Sequence, residues 1–438
     1  MKNKNYIKNL LLFGLIAAII PFSSCEDNDD TGGSSATPVI KAVYLEDPNS
    51  SVPDRLVEFA RLGQTIRIEG ESLLGVNKLF LNGFEQLFNP ALMTDNTMLF
   101  QISSRVPTID ATEDVRNTIR LEKSAGNFVV YNFEIRSAAP GISNVSHTMA
   151  QAGEVITLTG NGLQEVSRVL FPGDIEGTNI VSDDENGEWC QVTVPAGITT
   201  SGSIKVTGAN GGAFSPAYFN YKEGLLHNFD DVQNYSWGSG VDNTALTASI
   251  PTSGNLPKSQ GGYQCFNASG SLGAGADQRF WMNSKVASGL LAAIPASTPT
   301  DQCGVQMDIY VEGAWNSGVI RFVMADGWGT GMYDMLYQPV YPDGKTYDAA
   351  AFVNPGCWFT VTLPFSLSDD FASRSLADVL AQMTIAETEK YNQIGPWFEN
   401  SGIKDVFDPV PSTAKVYFDN IRVVPIITPA YSDYPDEE

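Results

Sequence analysis

Two stretches ninety residues apart repeat one another, and both alternate apolar and polar side chains with a period of two. Residues 62–83 read LGQTIRIEGESLLGVNKLFLNG, and residues 152–173 read AGEVITLTGNGLQEVSRVLFPG. Six aligned positions are identical: Gly63/Gly153, Ile66/Ile156, Gly70/Gly160, Leu73/Leu163, Val76/Val166 and Gly83/Gly173. Ile66 and Ile68 alternate with charged residues, and Ile156 and Leu158 with threonines, so each unit has strands with one buried face. Gly70 and Gly160 are expected at a turn or bulge with positive φ. The pattern predicts two copies of a small β-sandwich.

Each unit opens on Pro and Ile, as Pro38-Val39-Ile40 and Pro140-Gly141-Ile142. Each closes on an aromatic strand, Tyr131-Asn132-Phe133 and Tyr218-Phe219-Asn220-Tyr221. This G-x-x-I-x-L-x-G-x-x-L-x-x-V-x-x-V-x-F pattern resembles the IPT/TIG family, an immunoglobulin-like fold. The second unit fits well, whereas the first has a longer stretch, Glu46 to Arg61, before its glycine. In extracellular proteins the resemblance implies spacers without catalysis.

The composition narrows the function. Against 26 Lys and Arg stand 50 Asp and Glu, a formal charge of −24. An acidic chain without a basic cluster will not hold nucleic acid by counterion release. The two histidines, His147 and His227, argue against a His-rich metal site or a Ser-His-Asp triad. No G-x-S-x-G, P-loop or H-E-x-x-H motif occurs.

The chain begins with Lys2, Lys4 and Lys8, followed by the 11-residue apolar run Leu10–Ile20 and Pro21. Such a run is too short to span about 30 Å of hydrocarbon as a helix and suits a secretory signal. It leads to Phe22-Ser23-Ser24-Cys25, which resembles the permissive bacterial lipobox of Bacteroidetes. The resemblance implies cleavage before Cys25 and acylation of it, which takes the formal charge to −27 by removing three lysines. The following Glu26-Asp27-Asn28-Asp29-Asp30 looks like a surface-export tag, and Thr31–Ala36 continues as a flexible tether. Cys190, Cys265, Cys303 and Cys357 remain; none has C-x-x-C spacing, and three full pairings or free thiols stay open.

Beyond residue 223 lie six of the seven tryptophans. Leu225-Leu226-His227-Asn228-Phe229-Asp230-Asp231 opens this half, and Val416-Tyr417-Phe418-Asp419-Asn420-Ile421-Arg422-Val423 closes it. These two segments resemble the paired terminal strands of jelly-roll carbohydrate-binding modules. Strands are expected at Gly304–Val311, Ser317–Met324 and Trp358–Leu363, and a helix at Leu376–Ala386. The fold class is all-β: two Ig-like sandwiches followed by a jelly-roll sandwich. The expected divisions are a signal peptide (1–25), a tether (26–37), Ig-like domains (38–138 and 139–222), a glycan-binding sandwich (223–427) and an acidic tail (428–438).

With Trp315-Asn316-Ser317-Gly318, Asp326-Gly327-Trp328 and Trp358–Pro364, the layout resembles the surface glycan-binding proteins of Bacteroidetes polysaccharide utilisation loci. That resemblance implies a lipid-anchored protein on the outer face of the outer membrane, with a TonB-dependent transporter complex as candidate partner. It also implies capture of a plant β-glucan, xyloglucan or mixed-linkage glucan. A pyranose has an apolar C–H face on which indoles stack, while polar side chains take its hydroxyls. The candidate glycan-binding residues are Trp281, Phe280, Trp237, Trp328, Trp315 and Tyr333, with Asn283, Asp326 and Gln338 as hydroxyl partners. Phe280 and Trp281 are neighbours in a strand and so face opposite sides. Trp358 is expected to be packed, and Trp397 lies in a late loop.

No catalytic residue or cofactor is expected. Asp230, Asp231 and Asp419 are the candidate oxygens for a structural calcium, held in such modules where the first and last strands meet. The rival readings are a surface glycoside hydrolase, which needs two carboxyls flanking the scissile bond and has Glu312 as its main strand-borne candidate, and a structural adhesin.

Overall fold

The computed structural model describes residues 36–48, 52, 54–124, 126–239, 261–283, 293–325, 332–387, 393–401 and 407–434. The signal segment, Cys25, the acidic run after it, Asp326 and Trp328 lie outside the described residues.

The first repeat folds into two facing four-stranded sheets. One is ordered Arg55–Leu56, Val39–Leu45, Thr65–Glu71, Thr97–Gln101, and the other Phe84–Gln86, Val76–Leu81, Thr118–Lys123, Phe128–Asn132. Ile66, Ile68, Leu79, Leu81, Ile119 and Leu121 fill the space between them. A short parallel pair, Phe59–Arg61 with Glu134–Arg136, closes one end. The second repeat does the same with Gly141–Val145, Val155–Asn161, Trp189–Thr193 and Thr178–Ser182 facing Ile175–Glu176, Arg168–Phe171, Lys205–Gly208 and Gly211–Phe214.

The repeated glycines separate into two physical roles. Gly63 and Gly153 have φ of +84° and +91°, and Gly83 and Gly173 have +79° and +84°, so these are turn glycines. Gly70 and Gly160 do not have the expected positive φ. They sit in strands, where an added Cβ would lie 1.9 Å from the carbonyl oxygen of Val39 or Gly141. Both lie against a bulge in the partner strand, between Ile40 and Ala42 or between Ile142 and Asn144. Close backbone approach, not a left-handed turn, is what excludes a side chain there.

The C-terminal half is a sandwich of two five-stranded sheets. In the first, Leu225–His227, Lys415–Pro425, Cys303–Glu312 and Phe359–Pro364 are neighbours in that order, and Gln264–Phe266 also pairs with Lys415–Pro425. The opening and closing segments therefore pair, Leu225 with Arg422 and His227 with Ile421. The second sheet runs Tyr235–Ser239, Ala276–Asn283, Gln393–Asn400, Val319–Ala325, Met332–Tyr337. Between the sheets lie Phe229, Phe266, Phe280, Met307, Ile309, Phe322, Phe398 and Phe418. The helix spans Leu376–Glu387; Asp378 accepts hydrogen bonds from both the backbone N–H and the hydroxyl of Ser375, which caps its first turn. Trp397, expected in a loop, lies in the middle strand of the second sheet. Cys190, Cys265, Cys303 and Cys357 are free thiols.

A candidate carbohydrate platform on one face of the C-terminal sandwich

Alternation in the second sheet sends Phe280 and Met282 inward and Trp281 outward. Phe280 packs edge-on against His227 and Phe418 in the core, whereas Trp281 forms a separate outer cluster with Val323 and Trp397. Trp281 and Trp397 meet edge to face, centroids 5.2 Å apart and planes at 90°. Trp237 is the register partner of Trp281 on the neighbouring edge strand, so the two indoles share this outer face. Trp237 is 47% exposed, against 5% for Trp281 and 3% for Trp397. Gly395 leaves room for this packing, because a Cβ there would lie 1.9 Å from the Phe280 carbonyl oxygen and 3.3 Å from the Trp281 Cα.

Fixed charges surround the pair. The Arg279 guanidinium carbon is 4.0 Å from the Trp397 ring centroid, and that of Arg321 is 5.2 Å from it. Arg279 grips Asp277 with two bonds of 2.7 and 2.8 Å. Arg321 Nε donates to Asp334 at 2.6 Å, and its Nη1 lies 3.6 Å from Glu399. Burial is the main influence on the Glu399 carboxyl and raises it above the ordinary carboxylate range; Arg321 and Arg279 act in the opposite direction. The buried Trp397 Nε1 has no hydrogen-bond partner. At one margin the Gln393 side chain donates to the Ser236 hydroxyl at 2.8 Å, and exposed Asn283 is the register partner of Gln393. The result is one open indole beside two locked ones, ringed by amides, a hydroxyl and paired charges. Such a surface stacks on an apolar ring face and offers polar groups to hydroxyls around it.

Four expected contact residues need correcting. Trp281 lies on the outer face, but at 5% exposed it is covered by its packing with Trp397 and Val323 and supports Trp237 instead of presenting its own ring. Phe280 is 1% exposed and belongs to the core. Trp315 is 3% exposed; its Nε1 donates to the Gly318 carbonyl at 2.8 Å, so the indole closes the turn before Val319–Ala325 and packs on Tyr337, Phe352 and Phe398. Tyr333 pairs with inward-facing Met324 and points to the interior, with its hydroxyl 3.0 Å from Gln382 on the helix and its ring on Phe371. The aspartates expected to hold calcium do not fit the ion. Asp230 accepts from the Gly262 N–H and Asp231 from Asn228 in an exposed loop, whereas Asp419 is buried and accepts from the Asn420 N–H. No group of three or more His, Cys, Asp or Glu able to hold a metal occurs among the described residues. Trp397 and the Arg279–Asp277 and Arg321–Asp334 pairs were missed. For Trp397 the alternation Trp397-Phe398-Glu399-Asn400 was a local signal, but Gly395-Pro396 before it suggested a loop; Asp277 and Arg279, two apart on one strand, share a face.

The opposite face of the sandwich is partly covered. Thr360 N–H donates to the Ser146 carbonyl at 2.7 Å, and Thr148 bonds Thr360 and Gln306. Val424 joins the core of the second Ig-like domain. An open groove also occurs on the first Ig-like domain, lined by residues such as Gln86, Leu87, Phe88, Leu92 and Gln101, with no tryptophan and no charged group.

Fold and site together define a chain of tandem Ig-like sandwiches that carries a jelly-roll module with a tryptophan platform. Residues 219–425 match the family described as the surface glycan-binding protein B xyloglucan binding domain. An IPT/TIG domain-containing protein of Bacteroides ovatus is 22% identical over 95% of this chain and 97% of its own length. The crystal structure of the surface glycan-binding protein PbSGBP-B from Prevotella bryantii covers 90% of this chain and 100% of its own, with 18% identity and a TM-score of 0.59. SGBP-B from a complex xyloglucan utilization locus in Bacteroides uniformis covers 89% of this chain and 100% of its own, with 17% identity and a TM-score of 0.48.

Proposed function

We propose that this protein is a non-catalytic cell-surface polysaccharide-binding protein that captures a plant β-glucan, xyloglucan before mixed-linkage glucan, on the Trp237 face. The observation that carries this reading is the exposed Trp237, held beside the Trp281–Trp397 pair inside the region that matches a xyloglucan-binding family. The carboxylates of this face are occupied: Asp277 by Arg279, Asp334 by Arg321, and Glu399 by Ser401 and Arg321. Glu312 is likewise engaged by Lys415 and Tyr417, and this argues against the acid and nucleophile of a hydrolase. The Ig-like domains act as spacers. Cys25 is read as the acylated anchor, and the acidic run after it as the surface-export tag. The chain stands beside a transporter that imports the captured glycan.

Affinity electrophoresis on a glycan panel, run beside a reducing-sugar assay, tests this. Retardation by xyloglucan without sugar release is expected. Sugar release, or migration unaffected by every β-glucan, overturns the reading.

A further inference from the structure

After the last strand, the chain runs back over the second Ig-like domain to the first. The Ile426 N–H donates to the Gln302 carbonyl at 2.7 Å, and the Ile427 carbonyl accepts from the Ala217 N–H at 2.9 Å. The Tyr431 ring then meets Phe214 edge to face at 5.7 Å, with the Lys205 ammonium 5.1 Å from its centroid. Three residues on, Tyr434 reaches the first Ig-like domain. It stacks on Phe59, centroids 5.3 Å apart and planes at 13°, and the Arg55 guanidinium carbon is 4.5 Å from its centroid. Between the two tyrosines, Asp433 pairs with Arg61, and with Arg136 at 3.2 Å.

These contacts straddle the joint between the two repeats. Arg61, from the first domain, also donates to the carbonyls of Ser137 at the end of that domain and Asn210 in the second domain, both at 2.9 Å. The Arg136 guanidinium carbon lies 3.8 Å from the Phe59 centroid. The receiving surface is shaped for the segment. A Cβ on Gly212 would lie 2.2 Å from the Tyr431 ring, and one on Gly211 would lie 2.6 Å from the Asp433 carboxylate. Both arginine side chains are mostly buried there, and so is Asp433.

We propose that residues 431–434 are an intramolecular ligand that straps the two Ig-like domains together, and that their groove is a recognition site for an acidic peptide with the spacing tyrosine–x–aspartate–tyrosine. Cation and aromatic layers select the two rings, and the arginine pair selects the carboxylate between them. A tethered segment acts at an effective concentration of order mM. A groove with a dissociation constant of about 0.1 mM is then about nine-tenths filled by the chain's own segment.

The test uses the long chain ended after Thr428 and a fluorescein-labelled peptide of residues 428–436. Anisotropy should show the peptide binding the shortened chain and failing to bind the intact one. A peptide with Asp433→Asn and Tyr434→Ala should lose at least about tenfold in affinity, and Gly212→Val in the shortened chain should abolish binding. Trypsin should cut the shortened chain after Arg136 faster than the intact chain, while retardation by glycan stays the same. If the shortened chain is poorly folded, Asp433→Lys in the intact chain should open the groove to the labelled peptide. No peptide binding to either opened form, together with unchanged cleavage after Arg136, overturns the proposal. Loss of glycan retardation by any parent chain counts against the glycan reading instead.

Discussion

The two outer faces of the C-terminal sandwich are built from the same alternation and end in opposite roles. On one face, Gln306, Asp308, Thr360 and Arg422 meet the second Ig-like domain. Arg422 Nη2 bonds the Thr148 hydroxyl at 2.6 Å and Asp308 at 3.0 Å, while Asp308 also accepts from Thr360 at 2.6 Å and Asn420 at 2.9 Å. Beside this knot Trp358, Tyr263 and Tyr417 pack on one another. On the other face the charges pair among themselves and Trp237 is left open. A sandwich face is therefore not intrinsically a binding face. Docking of a neighbouring domain uses up one, and the other is available to a ligand.

The largest expected effect breaks the docked face. Arg422→Ala leaves Asp308 buried without its main counter-charge, at a cost of about 3–5 kcal/mol. Burial opposes the charge on Asp308, but the Arg422 guanidinium, His147 and the Thr360 hydroxyl outweigh it and hold the carboxyl below its ordinary value. Denaturant unfolding should show the loss, while the folded fraction keeps its glycan affinity. A weakened affinity at full folding would mean that the two faces are coupled.

His227 sharpens the comparison by pH. Its Nδ1 accepts from the Asn234 N–H at 2.9 Å, just before the strand that carries Trp237, and burial lowers its pKa from 6.5 to about 4. The unfolded chain therefore binds a proton that the folded chain refuses between these values. The stability from the neutral ring is complete above pH 6.5 and is lost as the pH falls towards 4, by at most about 3 kcal/mol. His227→Asn keeps an acceptor but cannot titrate, so it should flatten this part of the stability–pH curve. An unchanged slope would place the titration elsewhere.

The smallest effect separates the indoles. Trp237→Ala should cost about 1–3 kcal/mol of glycan binding, by analogy with stacking on bases, at an unchanged melting temperature. Trp281→Ala and Trp358→Ala should lower the melting temperature, because both rings are buried. Trp358→Ala should leave affinity intact, whereas Trp281→Ala should also reduce it by removing the ring beside which Trp237 is held. If Trp237→Ala binds normally, the open face is not the sugar face.

The strands and the domain order were legible in the chain's pattern. A period of two defined the strands, the ninety-residue repeat defined two like sandwiches, and the resemblance of the last domain's terminal segments to those of jelly-roll modules implied their pairing, which the Leu225–Arg422 register shows. Alternation also told that Phe280 and Trp281 face opposite ways. Which apolar rings stay open depended on packing between distant segments. Trp315 is consumed by its own turn, and Trp281 and Trp397 by each other, whereas the packing of Trp358 on Tyr263 and Tyr417 was already expected from its alternating strand. The charges around Trp397 run from Asp277 to Glu399, more than a hundred residues apart in sequence, and the segment 431–434 finds its groove across more than 370 residues, as in the Arg61–Asp433 pair. Periodicity reports which side of a strand a side chain takes. Exposure depends on what later covers that side, and this is a property of long-range packing that no local pattern encodes.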